Sequence, residues 1–356
     1  MHRPVFKHIQ YQTPSYKYSS RNVAALKSVI DSMHIENDPW VQSLREQLAN
    51  RPPSPDRMRI DRQLSKAISK GNTYTHKGLN DFARAASEIC ADVGPWAADW
   101  YVHKVLEQAK AAASPYQNII SAWQEKEKTY LLNTLAQVRT APPSYRPEDI
   151  VAEISDKTRV LIECLQNEKN SSEMEDEDYS GIIFVTRRDA VLALAEVLAH
   201  HPQSSKIFHV GCLLGSSDSA HRRSFLDITR KMLTQSQAEV LLDFKIGEKN
   251  LIVSTAVAEE GIDIQACGSV IRWDLPQNMT SWAQSRGRAR RQRSTFILMF
   301  CESDFHDGLI LKWELLEKEM QAKYNDSRKR ASLFDDNSIS SEDDEDDLEL
   351  YVESTG

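Results

Sequence analysis

The sequence predicts an α/β fold, a parallel sheet with flanking helices, joined to an all-α stretch and ending in an acidic tail. Three observations predict it. After Gly181, short β-branched runs alternate with helical patterns, as in a doubly wound parallel sheet. Between Val23 and Val138 the apolar spacing is mostly helical. Residues 331–356 contain ten Asp and Glu and no Lys or Arg, too polar and self-repelling to bury a core.

In chain order, Val23, Leu26, Ile30 and Met33 share a helical face, and Leu79, Phe82, Ala83, Ala86, Ile89 and Cys90 share another. Ile119, Ile120, Trp123, Tyr130, Leu131 and Val138 mark a third stripe, and Trp96 and Trp100 lie four apart on one face. These stripes read as a bundle core, with a stacking platform for bases as the other reading. RPPSP (51–55) and APPSYRP (141–147) punctuate this stretch, because proline fixes φ and removes a donor. Asn167–Ser180 reads as an exposed acidic loop. Strands are expected at 182–185, 206–210, 251–254, 269–272 and 295–300; most are near-continuous apolar runs, as strands buried on both faces should be. Helical patterns fall between them at Ala190, Leu194, Val197 and Leu198, and at Val240, Leu241 and Phe244. No internal repeat of 20–50 residues is visible.

At 356 residues the chain exceeds one typical domain, so two globular units with flexible ends are expected. The composition, 40% hydrophobic and 27% charged, is that of an ordinary soluble protein with ample material for a core. A membrane protein is not expected: no apolar run reaches the roughly 18 residues a membrane helix needs, and MHRPVFKHIQ lacks a signal-peptide core. The five cysteines are scattered without a CxxC, against a disulfide framework or zinc knuckle. The formal charge of −8 belongs to the tail, since removing 331–356 leaves 42 acidic residues against 44 basic ones. The body is thus free to carry basic patches. The tail reads as a solubilising segment or as a mimic of nucleic acid that competes for a basic groove.

Three loops carry candidate chemistry. Thr186-Arg187-Arg188 follows an apolar strand and opens a helix, offering a hydroxyl, backbone amides and two guanidinium groups to a phosphate. Basic residues after a strand are common, however. Thr255 to Ile264 contains Gly261 and Asp263: either a ligand loop, or a helix capped by Thr255 and ended at Gly261. Gln284 to Arg293 contains five arginines in eight residues, with Arg288 and Arg291 three apart and so on one face of a helix. Two planar forks on one face match the charge of a transferring γ-phosphate. A nuclear-localisation run or a solvated basic face is the plainer reading.

The order IIFV-TRR, STAVAEEGID, QSRGRARR resembles motifs IV, V and VI of the second RecA-like domain of superfamily 2 helicases. The wording between them, through LLGSSDSAHRR, LLDFKIGEKNLIVSTAVAEEGIDI and VIRWDLPQNMTSWAQSRGRARR, resembles the helicase region of Dicer proteins in its fungal Dicer-like form. The double-stranded-RNA sensors of innate immunity share the pattern. The resemblance implies a RecA-like parallel sheet interrupted by a helical insertion. RPVFKHIQY within 1–20 would be its first strand region, 21–147 the insertion, 148–302 the second RecA-like domain, 303–326 a C-terminal helix and 327–356 a disordered tail. It further implies that Arg288 and Arg291 contact the γ-phosphate and that Gln284 helps position the nucleotide or its attacking water. Gly261 and Asp263 would lie by the interdomain cleft, the aspartate near the ribose. Thr255, Thr186, Arg187 and Arg188 would hold the RNA backbone. Arg272 and Trp273 receive no role beyond buried packing for the tryptophan.

The family's ATP chemistry also needs a GxxxxGK[ST] loop and an acidic magnesium box, and neither occurs in these residues; SKGNT (69–73) has the wrong order, and DEDYS follows no apolar strand. RNase III and double-stranded-RNA-binding signatures are absent too. ATP and Mg2+ are therefore expected only when a first RecA-like domain is supplied, and no turnover by these residues alone. The expected partners are double-stranded RNA and that first motor domain, with no membrane. By resemblance the location is cytoplasmic, with the nucleus open, and the role is RNA silencing and antiviral defence. The alternative is a stand-alone RNA-binding or regulatory module without catalysis.

Overall fold

Strands β1 (Val5–Tyr11), β2 (Gly181–Phe184), β3 (Val210–Leu213), β4 (Leu251–Ser254), β5 (Ser269–Arg272) and β6 (Thr295–Cys301) form one sheet in the order β1-β6-β5-β2-β4-β3. Every pairing is parallel. The computed structural model describes residues 4–14, 17–112, 125–174, 177–214, 235–255, 267–276, 278–291 and 293–302, with eight separate positions between 308 and 323. The acidic tail and most of 303–326 lie outside the described residues. β2, β4, β5 and β6 are buried along their whole length, which is why they read as unbroken apolar runs. The expected strand at 206–210 is displaced: β3 begins only at Val210, because His201 to Phe208 form successive turns closed by bonds such as Phe208 N–H to the Ser204 carbonyl at 2.8 Å.

The helices preceding β2 are α1 (Arg21–Asp31), α2 (Pro39–Ala49), α3 (Pro55–Lys70), α4 (Tyr74–Asp92), α5 (Pro95–Ala112), α6 (Glu125–Ala136), α7 (Pro147–Ala152) and α8 (Asp156–Met174). After β2 come α9 (Arg188–His200), α10 (Gln237–Ile246) and α11 (Met279–Arg286). Their starts follow from local chemistry. Asp38 and Ser54 cap α2 and α3, each followed by a proline that needs no partner for its missing N–H. Ser20 caps α1 and donates to the buried Asp99 of α5 at 2.5 Å, so one hydroxyl fixes both a helix start and a helix pair. Thr73 caps α4 and also donates to Asp38 at 2.7 Å.

The main unit comprises 1–276 and 284–304; a second, 277–283 with 305–356, contains few described residues. Within the main unit the helical stretch is not a separate body. Phe82, Trp96, Trp100 and Tyr101 belong to the same continuous core as Ile183, Leu194, Val253 and Ile297. α5 packs on α9, and α9 packs on β3 and β4, so α9 lies between the helical layer and the sheet. All five cysteines are free thiols.

One expectation is overturned at Asn167–Ser180. α8 continues to Met174, held by a Lys169–Glu173 ion pair one turn apart at 3.0 Å. Glu168 is not an exposed loop residue but buried, accepting from Thr295 at 2.5 Å and from Lys7 at 2.7 Å, and so fastens α8 to β6 and β1. Glu168→Ala is expected to lower stability by about 2 kcal/mol in urea titration. Lys7 is 44% exposed and can turn to water, which keeps the loss below the roughly 3–5 kcal/mol of a fully buried pair.

Candidate functional site

α11 closes at Arg286, so the helix expected to carry Arg288 and Arg291 on one face stops short of both. Its end tightens: the Arg288 N–H donates to the Ser285 carbonyl and the Ala289 N–H to the Arg286 carbonyl, each at 3.1 Å. The chain then forms a parallel bridge, Ala289 beside Cys267, in which the Cys267 N–H donates to the Arg288 carbonyl at 3.2 Å. The backbone that carries the two arginines is therefore set by this turn and bridge and not by helical spacing. Both guanidinium groups act on one thiol: burial pushes Cys267 up to about 12, while Arg291 and Arg288 pull against it. Arg291 also donates from Nη1 to the Asp178 carbonyl. Gln284 sits half-buried in the last turn of α11.

Cys267 leads into β5 and Arg291 leads towards β6, so this pair lies at the N-terminal edge of the sheet. A connection between parallel strands must return the chain to the starting edge before the next strand, and the arginines occupy that return. Gly261 and Asp263 lie outside the described residues, and Cys267 follows Asp263 by four positions.

The other expected residues occupy the opposite edge. Phe184 pairs with Ser254, and the Val185 N–H donates to the Ser254 carbonyl at 2.8 Å, so Thr186 and Thr255 leave the sheet side by side. Thr186 is exposed; Thr255 is buried, with its N–H on the Leu213 carbonyl at 3.1 Å. Arg188 opens α9 and is half-buried. Arg187 is committed within the fold. Its guanidinium pairs with Asp189 and with Glu88 of α4, and donates to the Ala85 carbonyl at 3.1 Å.

Sequence reasoning missed a charged cluster at this edge. Lys157, only 6% exposed at its side chain, sets its Nζ 3.6 Å from Asp92 and 3.5 Å from Asp274. The same ammonium lies 4.3 Å from the Trp273 ring centre and 5.1 Å from that of Tyr11, a cation–π cradle that replaces lost water. Asp274 accepts the Thr186 N–H at 2.7 Å with its other oxygen. Partial burial raises the Asp92 carboxyl above its ordinary range, and Lys157 draws it back. The one signal in the sequence was an acidic residue, Asp274, directly after a strand and two bulky side chains. Elsewhere, a cavity of about 700 Å3 opens beside α1 and α4 with Lys17, Lys27 and Arg84 in its lining. None of the predicted site residues lines it. Among the described residues no cluster of three or more His, Cys, Asp or Glu could hold a metal ion, and no helix is long and apolar enough to cross a membrane.

Comparison with known proteins finds helicase relatives. Residues 156–293 match the helicase conserved C-terminal domain. Dicer-like protein 2 of Aspergillus terreus is 33% identical over 94% of this chain and 23% of its own length. Dicer-like protein 2-1 of Aspergillus niger is 33% identical over 92% of this chain and 22% of its own length. The chain thus spans under a quarter of the relatives it matches. Among solved structures, the Hef helicase domain of Pyrococcus furiosus aligns over 87% of this chain and 58% of that chain, at 16% identity and a TM-score of 0.39. An all-parallel sheet flanked by helices and a match over residues 156–293 identify a helicase C-terminal domain in this chain, which over most of its length is similar to Dicer-like proteins.

Proposed function

We propose that this chain is the second motor domain of a Dicer-like, RNA-processing ATPase. Its arginine pair completes a nucleotide site whose phosphate loop and magnesium ligands belong to a first RecA-like domain. The observation that carries this reading is the helicase C-terminal match ending at 293, with Arg288 beside the Ala289–Cys267 bridge and Arg291 tied to the Asp178 carbonyl. Two fixed guanidinium groups suit an ATP γ-phosphate, because they stabilise charge that develops on its oxygens without reorganising at the moment of transfer. A Mg2+ held by the first domain would supply charge neutralisation for the nucleotide phosphates. This chain's own part is to orient the γ-phosphate through Arg288 and Arg291, with Gln284 on the nucleotide or the attacking water. One domain alone cannot turn ATP over, since the site closes only between two.

At the opposite edge, Thr186, Arg188 and Thr255 are proposed to meet the backbone of double-stranded RNA. Backbone reading needs hydroxyls and cations rather than base-specific donors, and these loops supply them. The test is a duplex-RNA titration at two ionic strengths. Of these three residues only Arg188 is a cation, so raising salt from roughly 50 to 200 mM should weaken binding about three- to fourfold through counterion release. Salt-insensitive or sequence-specific binding would overturn the backbone reading.

A further inference from the structure

Glu88 and Asp92 lie one turn apart on α4, and each reaches a different part of the loop edge that carries Thr186. Glu88 pairs with Arg187, the residue directly after Thr186 and the N-cap of α9. Asp92 holds Lys157, which holds Asp274, which accepts the Thr186 N–H. Ala85, on the same face of α4, accepts a further bond from Arg187 at 3.1 Å. The Thr186–Arg188 turn is therefore gripped from two sides by one face of one helix of the inserted layer.

The grip is anchored behind. The Ser155 hydroxyl donates to the Asp92 carbonyl at 2.5 Å and the Thr158 hydroxyl to the Val93 carbonyl at 2.8 Å, tying the end of α4 to the start of α8, where Lys157 sits. Lys157 is buried between two rings and cannot follow a displaced carboxylate into solvent. Side-chain exposures of 28% for Arg187 and 28% for Asp274 leave the bridges partly shielded from salt.

We propose that Glu88 and Asp92 are positioning residues for the Thr186–Arg188 turn, through the bridges Glu88–Arg187 and Asp92–Lys157–Asp274–Thr186. The helical insertion thereby sets the geometry of an edge that belongs to the RecA-like sheet. This rests on the reading that the turn meets RNA, and it adds the residues, remote from RNA, that hold the turn in its binding geometry. Neither carboxylate touches the nucleic acid; both act through the turn.

The test uses the full chain with Glu88→Gln, Asp92→Asn and their combination, beside Glu88→Asp, which keeps the charge, and Arg188→Ala as the direct contact. Melting by circular dichroism reports folding, amide hydrogen exchange reports the Thr186 N–H, and titration with a blunt RNA duplex reports binding. The combined variant is expected to melt as a folded protein, to exchange the Thr186 amide about fivefold faster and to bind duplex about three- to fivefold more weakly, the scale of two partly exposed ion pairs. Glu88→Asp should change both readouts less than Glu88→Gln does. Unchanged exchange in the combined variant overturns the proposal. So does faster exchange with unchanged affinity, where Arg188→Ala does weaken binding. If Arg188→Ala is silent as well, the RNA reading of the turn falls, and the exchange rate alone decides whether α4 holds it.

Discussion

Arg288→Ala, in a protein that carries both motor domains, is expected to lower ATP turnover by on the order of 10³-fold while leaving duplex-RNA affinity nearly unchanged. The size follows from chemistry. Charge accumulates on the oxygens of a transferring phosphoryl group, and a guanidinium already in place stabilises it more in the transition state than in the ground state. The loss should therefore fall on kcat with little change in KM. Arg291→Ala should behave alike, with some loss of stability in addition, because its Nη1 also holds the Asp178 carbonyl. Lysine at either position should rescue poorly, since a point charge does not reproduce a planar fork. Steady-state turnover and RNA titration on the same preparations separate the outcomes. Equal losses in both would put the arginine on RNA and remove the nucleotide reading.

Gly94→Ala is expected to destabilise the fold by roughly 3 kcal/mol or more, read as a fall in urea midpoint and melting temperature. Gly94 joins α4 to α5 with φ at +131°, a backbone conformation that side-chain-bearing residues rarely adopt. A Cβ there would stand 2.6 Å from the Glu153 carbonyl oxygen and 2.7 Å from the Ile154 Cα, both backbone atoms that cannot swing aside. The approach is close because the two segments are laced together. The Trp96 N–H donates to the Glu153 carbonyl at 3.1 Å, and the Ser155 N–H to the Val93 carbonyl at 2.9 Å. Relief of the clash would break these bonds and shift the start of α8, with Lys157 on it. A variant that melts with the parent would show that this joint can relax.

Much of the architecture was legible because burial on both faces writes itself as continuous apolar runs, and 251–254, 269–272 and 295–300 are such runs. The helical stripes were equally readable where the residues are described, Ile119, Ile120 and Trp123 lying outside them: Trp96 and Trp100, four apart, are both buried. What could not be read depended on partners distant in sequence. Asn167–Met174 looks like a polar loop because its apolar content is low, yet Glu168 is drawn inside by Lys7 and Thr295. The helical spacing expected for Arg288 and Arg291 was not realised, since α11 ends at Arg286 and a bridge to Cys267 sets the backbone that follows. Arg187 looked like its neighbour Arg188 in the sequence. Only the fold reveals Glu88 across from it.

The pairing of β1 with β6, Val5 opposite Thr295, joins segments that are made far apart in time during synthesis. At about 5–20 residues per second, a ribosome needs roughly 15–60 s between exporting one strand and its mate. During that interval the N-terminal strand has no neighbour. When TFILMFC does emerge, its outer rim is an unguarded apolar template until β1 returns to it. Yield in expression hosts should accordingly depend on chaperone supply more than on equilibrium stability, and variants that delay this last docking should accumulate as aggregates even when the finished protein is sound.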